Sequence, residues 1–390
     1  MPSRIFHKGR VFTLSFAHLS HDLFPAFLAP MLPLLIEKLG LSFLFASLLD
    51  VVRRIPFLLN PFLGLLAERA GARYFVIFTP AITAISMSFV GLASSAWMLL
   101  VLLFIAGLSA TLFHIPSPVM IKESAGDKVG LGMSLFMVGG EAARTLGPLL
   151  ITAAISWWGI EGAYRLMPLG IVASVILYSK LHTLRPQLSL QKPRQKGDTK
   201  ALLVRYFPFF SAIGGFILFQ AWMKTALVLF LPVYLGEKGY GLWYAGISLA
   251  LLEFFGILGA LTAGHYSDKI GRPKILLIIS IAQAGLMTGF LLSSQTFMLP
   301  FLGLLGFFLF ASGPVIMASV QDTNTSMPTF MNSLYMGVNF GLTSAVVVCV
   351  GTLGDALGLA QTYWICALMG YGCIGVALVL PRAIAAGKAA

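Results

Sequence analysis

Charged side chains are scarce in this chain. Of its 390 residues, 10% are Lys, Arg, Asp or Glu and 58% are hydrophobic, and the mean hydropathy is +0.90. Soluble domains contain about 25% charged residues. The composition therefore excludes a globular soluble enzyme and indicates a polytopic membrane protein.

Cysteine is rarer still, with three residues, Cys349, Cys366 and Cys373. They lie in late apolar segments and lack the spacing of a disulfide framework or a zinc site, so we expect no metal centre. A Gly-x-x-x-x-Gly-Lys-Ser/Thr loop for nucleotide phosphates is also missing. ATP-driven transport by this chain is therefore disfavoured, and we expect a proton gradient in place of any cofactor.

Long apolar runs dominate what is present. Transmembrane helices need about 20 apolar residues each, and twelve segments have this character. They cover roughly residues 11–36, 43–66, 74–93, 97–121, 129–156, 163–181, 206–235, 242–264, 274–293, 297–320, 326–350 and 361–381. The short alternating segments of a membrane β-barrel are absent. The sequence predicts an all-α membrane protein with 12 transmembrane helices.

One long polar connection interrupts the series of segments. Residues 182–205 are basic, contain two prolines and separate the first six segments from the last six. We therefore predict an N-terminal six-helix bundle over 1–181, a cytoplasmic basic linker over 182–205 and a C-terminal six-helix bundle over 206–390.

The net charge of +12 is distributed unevenly between the connections. Most Lys and Arg residues fall on the side of both termini, whereas the opposite connections hold Lys38, Arg165 and Lys238. Lys and Arg in short loops mark the cytoplasmic side. We expect a monomer in the inner membrane with both termini cytoplasmic, and no binding of nucleic acid.

An internal repeat supports the division into six plus six. The sequence GLLAERAGAR, residues 64–73, follows the second segment, and GHYSDKIGRPK, residues 264–274, follows the eighth. Both read glycine, three residues, an acid, a base, one residue, glycine and further bases. Parallel repeats of this kind suit a transporter whose substrate site lies between the halves.

These two loops resemble the signature of the major facilitator superfamily of secondary transporters. The resemblance implies two bundles related by a parallel pseudo-twofold axis, and it implies that the loops lock the cytoplasmic side while the carrier faces outward. The gate residues would be Gly64, Glu68, Arg69, Arg73, Gly264, Asp268, Lys269 and Arg272. The first copy departs from the signature, because Glu68 replaces the usual Asp and the final basic pair is missing.

Within the superfamily, the N-terminal half resembles the fosmidomycin-resistance group of drug exporters. Three stretches carry this resemblance: AHLSHDLFPAFLAPMLPLL at 17–35, LFHIPSP at 112–118 and GMSLFMVGGEAARTLGPLL at 132–150. Ile115, Glu141 and Arg144 depart from that group's pattern. The resemblance implies an exporter and leaves the substrate open.

Ionisable residues inside the apolar runs are the candidates for proton coupling. A charge at the bilayer centre costs about 2.5–3.5 kcal/mol on insertion scales. Asp22 lies about 16 Å deep in the first segment, since a helix rises about 1.5 Å per residue. Asp22 and Glu141 are the predicted proton carriers, and His18, His21 and His114 the predicted relay. A hydrogen-bonded polar clamp between helices is the structural alternative.

Mid-span basic residues are the candidates for substrate binding. Asp50, Arg53 and Arg54 share a helix face and carry a surplus positive charge, which suits a phosphonate or a carboxylate. They could equally form an internal ion pair, as could Glu141 and Arg144. The full set of candidates is Asp50, Arg53, Arg54, Arg144, Trp222, Lys224 and Glu253.

These features predict a proton-coupled exporter of a small amphipathic or anionic molecule that works by alternating access. Two alternatives use the same residues. One is a proton-coupled importer of a small organic anion. The other is a carrier of a metal ion or metal chelate bound by His18, His21, Asp22 and His114, although no sulfur ligands accompany them.

Overall fold

The computed structural model describes residues 5–59, 63, 72–184, 199–323, 325 and 328–389. These residues form α-helices and short 3₁₀ segments, with no strand among them. Those of the N-terminal part are α1 (Lys8–Asp22), α2 (Leu28–Leu39), α3 (Phe43–Arg54), α4 (Ala72–Phe89), α5 (Ala96–His114), α6 (Ser117–Ala125), α7 (Val129–Trp158) and α8 (Met167–Leu181). The 3₁₀ segments are Pro25–Phe27, Ile55–Leu59, Val90–Leu92 and Glu161–Leu166.

The second half of the chain is helical in the same way. Its helices are α9 (Thr199–Val228), α10 (Leu231–Glu237), α11 (Leu242–Ile270), α12 (Arg272–Leu292), α13 (Gln295–Gln321), α14 (Pro328–Leu357), α15 (Leu359–Gly370) and α16 (Gly372–Ala389). Helix α9 begins inside the stretch that was predicted to be a linker.

The all-α membrane class is confirmed. Within the described residues, ten stretches are long and apolar enough to cross a membrane. The 30-residue helix α7 is not one of the ten, and the second predicted segment, 43–66, runs into residues outside the described set. The count of twelve spans therefore remains a prediction.

Prolines break several of the predicted segments into two helices. The first segment is interrupted directly after Asp22, where the 3₁₀ segment Pro25–Phe27 separates α1 from α2. A proline has no N–H to donate, and its ring clashes with the carbonyl four residues earlier, here that of His21. Pro116 interrupts the fourth segment in the same way between α5 and α6. Both breaks lie next to predicted site residues.

The chain divides into two compact units. One consists of Met1–Leu190 with Leu235–Ala250, and the other of Gln191–Tyr234 with Leu251–Ala390. In the first unit α1 packs against α7, and α4 packs against α5 and α8. Its core includes Leu14, Phe113 and Phe136, which surround the middle of α1.

Glycines bring α1 and α7 close together. A side chain at Gly139 would collide with the backbone of Ser15, and one at Gly140 would collide with the ring of His18. The two glycines therefore permit a backbone approach that any larger residue would prevent. This approach places the polar end of α1 against the middle of α7.

The second unit is organised around α9, which packs against α14, α15 and α16. Its core contains Phe209, Phe216, Ile279 and Val315. Gln220, fully surrounded by this packing, accepts a 2.9 Å hydrogen bond from Ser312 and donates one of 2.9 Å to Gln283. This buried polar network ties α9 to α12 and α13.

Candidate functional site

Asp22 occupies the last turn of α1, immediately before the break at Pro25. Its side chain is 14% exposed. A carboxylate in this position needs donors, because an unpaired charge away from water is expensive. The donors come from three histidines.

Three imidazoles contact the Asp22 carboxylate. His18, one turn earlier on α1, places Nε2 3.2 Å from Oδ2. His21 places Nδ1 2.8 Å from Oδ1. His114, at the end of α5, places Nε2 3.3 Å from the same Oδ1. The structure thus brings together His18, His21, Asp22 and His114, as the sequence predicts; we call these four residues the Asp22 cluster.

His18 joins the cluster to α7. Its Nδ1 lies 2.8 Å from the backbone oxygen of Phe136, and its ring stacks on the Phe136 ring with centroids 4.0 Å apart. The ring occupies the space above Gly140. Rotation of His18 away from Asp22 would break both contacts with α7.

His21 joins the cluster to α4 and α5 and is fully buried. Its Nε2 lies 3.0 Å from the Thr83 hydroxyl. Thr83 donates a 2.7 Å hydrogen bond to the Ser109 hydroxyl, which in turn donates a 3.0 Å bond to the backbone oxygen of Thr79. Phe113 stacks on the His21 ring at 4.4 Å. We call Thr83, Ser109 and the Thr79 carbonyl the hydroxyl chain.

His114 is the most exposed member of the Asp22 cluster, with 34% of its side chain accessible. The rings of His18 and His21 lie edge-on to it at 5.3 and 5.7 Å. His114 is therefore the member of the Asp22 cluster that groups outside the cluster can reach most easily.

Three members of the Asp22 cluster also have the side-chain types that bind metal ions. One ligand atom each from His18, Asp22 and His114 lies within 4.8 Å of the others. The 2.8 Å contact of His21 with Asp22, however, is a hydrogen-bond distance. His21 is thus hydrogen-bonded to Asp22, whereas His18 and His114 contact the carboxylate at 3.2 and 3.3 Å.

Asp50 forms a second charge cluster on α3. Its carboxylate is buried and lies 2.7 Å from Arg53 through Oδ1 and 2.8 Å from Arg54 through Oδ2. The two guanidinium groups are a quarter and two-fifths exposed. One carboxylate against two cations leaves a net positive charge, so this group contains both the predicted ion pair and a surplus for an anion.

Helix α5 touches both clusters. Gly107 lies so close to the backbone of Arg53 that a side chain there would collide with it. His114 is seven residues further along the same helix, about 10 Å away at about 1.5 Å per residue. A movement of α5 would therefore act on both charge clusters.

Glu141 pairs with Arg144 one turn later on α7 at 3.1 Å. No hydrogen bond or ion pair found among the described residues joins Glu141 to Asp22. The structure therefore does not place Glu141 in the Asp22 cluster, although the helix that carries it touches His18 through Gly140.

The predicted substrate residues of the second half lie on α9 and α11. Lys224 is exposed, with its Nζ 4.8 Å from the centre of the Phe310 ring. Trp222 is half-buried and Glu253 is buried.

The gate residues are described in part. Gly64, Glu68 and Arg69 lie outside the described residues. Arg73 donates a 2.8 Å bond to the Leu184 carbonyl and lies over the Tyr74 ring. In the second copy, Gly264, Asp268 and Lys269 belong to the last turns of α11, and the chain turns at Gly271, whose φ of +95° suits glycine.

Arg272 binds two carboxylates. It pairs with Asp268 at 2.5 Å and with Asp322, beyond the end of α13, at 3.1 Å, and it also donates to Ser267. The repeat identifies Asp268 and Arg272 as gate residues, and the structure shows that they pair. Asp322 lies outside the repeat, so its role could not be read from the sequence.

Thr83, Ser109 and the Phe136 carbonyl were also not predicted. Hydroxyl residues are common in membrane helices and often bond the carbonyl four residues earlier. Neither the spacing of Thr83 nor that of Ser109 distinguishes it from such residues. A backbone acceptor such as Phe136 leaves no sequence signal at all.

Helices of membrane-spanning length, some with charged groups buried between them, indicate a multi-pass membrane protein. The sequence profile of the Major Facilitator Superfamily matches residues 14–352. The chain belongs to this superfamily. Its family and fold are those of membrane transporters and not of enzymes.

Two relatives carry resistance names. The Fosmidomycin resistance protein of Escherichia coli (strain K12) is 22% identical over 93% of this chain and 90% of its own length. Multidrug resistance protein MdtG of Escherichia fergusonii is 24% identical over 75% of this chain and 73% of its own length. The efflux-type relatives agree with the resemblance of the N-terminal half.

A solved structure supports the fold. The crystal structure of a bacterial homolog to the human lysosomal transporter Spinster, inward-facing and unoccupied, matches with a TM-score of 0.75. It is 15% identical and covers 99% of this chain and 97% of that one. At this identity the match concerns the fold alone.

Proposed function

We propose that this protein is a proton-coupled exporter of a small amphipathic or anionic molecule, and that Asp22 is the coupling carboxylate. The observation that carries the proposal is the contact of one membrane-embedded carboxylate with three histidines from two helices. A purely structural clamp could use donors that do not titrate, such as hydroxyls and amides. Three titratable partners, one of them accessible, suit a site that gains and loses protons.

Asp50, Arg53 and Arg54, here called the Asp50 cluster, support an anionic substrate. Arg53 and Arg54 present planar guanidinium groups, which bind carboxylate and phosphonate oxygens in pairs. The Arg53 and Arg54 Nε atoms are buried and have no partner among the described residues. An anionic substrate group that competes with Asp50 for these guanidinium donors would bind next to α5, which contacts Arg53 at Gly107. Fosmidomycin, the compound in a relative's name, is such an anion and is the first probe to test.

The mechanism links the two clusters through α5. A proton arriving at His114 would pass to the Asp22 cluster and change its charge. Because α5 packs against Arg53 at Gly107, a shift of α5 would alter the donors that Arg53 and Arg54 offer to the anion. Proton entry and substrate release would then be coupled as the carrier alternates between its two states.

Direction is tested in proteoliposomes with a pH-sensitive dye. With the anion at equal concentration on both sides, an imposed proton gradient should drive it out of the compartment that the protons enter in wild type. Asp22→Asn should abolish this gradient-driven flux, and the exposed acid variant Glu37→Gln should retain it. Flux in the direction of the protons would favour the importer, and full flux in Asp22→Asn would remove Asp22 from the coupling role.

The metal-carrier alternative has its own test. Calorimetry of the purified protein with Zn²⁺ should show no stoichiometric site, and chelators should leave proton-driven transport unchanged. Tight binding of one ion per chain that is lost in His114→Ala would replace proton coupling by metal transport.

A further inference from the structure

The partners of the ring nitrogens of His18 and His21 bear on the number of protons that the Asp22 cluster holds. We propose that this cluster carries two protons more than a state with neutral histidines and an ionised Asp22. The inference concerns the arrangement itself; only the role of these protons in driving export rests on the proposed function.

His18 has its first proton on Nδ1. The partner of Nδ1 is the Phe136 carbonyl oxygen at 2.8 Å, and a carbonyl only accepts. In a neutral His18, Nε2 would then carry a lone pair. That lone pair would face Asp22 Oδ2 at 3.2 Å, so a proton must lie between the two atoms for the contact to be favourable.

His21 has its first proton on Nε2, for a less direct reason. Ser109 gives its hydroxyl proton to the Thr79 carbonyl and accepts the proton of Thr83. Thr83 has no second proton, so at 3.0 Å it accepts from His21 Nε2. In a neutral His21 the lone pair on Nδ1 would face Asp22 Oδ1 at 2.8 Å. This contact also requires a proton of its own.

Two contacts therefore require two protons. Either both histidines are imidazolium ions, or one is and Asp22 carries a hydroxyl proton that it donates to the other. Each distribution gives the three groups a net charge of +1. His114 requires no added proton, because the neutral ring can donate its Nε2 proton to Asp22 Oδ1 at 3.3 Å.

Among the described residues, the ion pairs observed for Asp22 involve His18, His21 and His114. Helix α7 carries Glu141 and Arg144, which pair with each other. Helix α4 presents the Thr83 hydroxyl to the cluster. The further titratable residues of these neighbours lie toward the helix ends, at Arg73 and Tyr74 on α4, Lys122 and Glu123 on α6, and Tyr178 and Lys180 on α8. The pairs that the structure describes for Asp22 are with histidines.

The hydroxyl chain is thus a positioning device for His21. Without it, a neutral His21 could move its single proton to Nδ1 and donate to Asp22, and the cluster would need one added proton instead of two. Thr83 and Ser109 act through His21 and touch no part of the carboxylate.

Nuclear magnetic resonance of the full-length protein in lipid nanodiscs at neutral pH can count these protons. Histidine labelled with ¹⁵N reports which ring nitrogens are protonated, and aspartate labelled with ¹³C reports a protonated carboxyl. Signals are assigned from their loss in His18→Gln, His21→Gln and Asp22→Asn. His182 is the internal control, since its Nδ1 also lies 2.7 Å from a carbonyl, that of Tyr178, and it is exposed.

We count the protons on His18, His21 and Asp22 beyond those of a state with neutral histidines and an ionised Asp22. The expected number of added protons is two in wild type and in Thr83→Ser, and one in Thr83→Val. Ser109→Ala should also give one, because Thr83 is then free to donate to His21; this variant serves if Thr83→Val fails to fold. A wild-type sum of one or zero overturns the inference, as does a sum of two in both hydroxyl-deficient variants. The count needs neither substrate nor gradient, so a protein with two protons and no proton-driven flux would refute the proposed function alone.

Discussion

The imidazole of His18 fills the space left by the missing side chain of Gly140. A Cβ atom built at position 140 would collide with the Cε1 and Nε2 atoms of the ring. The glycine on α7 thereby decides where the ring on α1 can lie, and with it whether Nε2 can reach Asp22.

Gly140→Ala should therefore weaken both the site and the fold. The ring must move, and it loses the Phe136 carbonyl and the Asp22 carboxylate together. Overpacking of this kind costs about 1–3 kcal/mol, so a thermal unfolding assay should show a lower melting temperature, with proton-driven flux reduced or lost. Gly130→Ala is the matched control on the same helix, because nothing lies within 4 Å of its Cβ position. Equal behaviour of the two variants would contradict this account of Gly140.

Asp50 is expected to matter for stability more than either arginine it binds. Asp50→Asn leaves two neighbouring guanidinium groups without a counter-ion. Removing one partner of a buried pair costs about 3–5 kcal/mol. Since Arg53 and Arg54 are partly exposed, we expect a loss of free energy of unfolding at or below the lower end of this range, measured by chemical denaturation in detergent.

The double variant provides the control for Asp50. Adding Arg53→Gln to Asp50→Asn removes one of the two repelling charges and should recover part of the lost stability. Arg54→Gln alone should cost less than Asp50→Asn, because the more exposed cation is better solvated. Losses that simply add in the double variant would show that the residues do not act as one charge cluster.

The sequence predicted the part of the site that consists of ionisable residues inside an apolar segment. His18 and Asp22 are expensive in an apolar run and are spaced one helical turn apart, so their pairing followed from the sequence. The helix break after Asp22 was visible only as Pro25, which does not say whether a helix bends or ends. Glu141 was predicted to carry protons together with Asp22, but its position in the sequence leaves the rotation of α7 undetermined, and its side chain pairs with Arg144.

The remaining contacts depend on tertiary packing and have no local signal. The hydroxyl chain needs α4 and α5 to bring Thr83 and Ser109 within 2.7 Å of each other. Similarly, Asp322 meets Arg272 only because α12 and α13 pack together. Sequence reasoning therefore found the expensive groups of the site but not the groups that orient them.

The two carboxylates on Arg272 predict a further effect, on transport rate rather than on stability. Arg272→Lys keeps the positive charge but replaces the forked donor set that holds Asp268 and Asp322 from α11 and the end of α13. Both carboxylates are more than half exposed, so each pair contributes about 1 kcal/mol or less, and the unfolding temperature should change little.

If Arg272 holds both carboxylates in one state of the transport cycle and releases them in the other, weakening these pairs shifts the balance between the two states. We therefore expect a several-fold change in the initial rate of proton-driven flux, with a similar change in Asp322→Asn and less than additive change in the double variant. High salt should reduce the difference from wild type, because exposed pairs are screened. Lys274 is exposed on the same helix and is not a predicted gate residue, so Lys274→Gln should leave the rate as in wild type. Equal rates for Lys274→Gln and Arg272→Lys would show that the pair of carboxylates on Arg272 has no part in the gate.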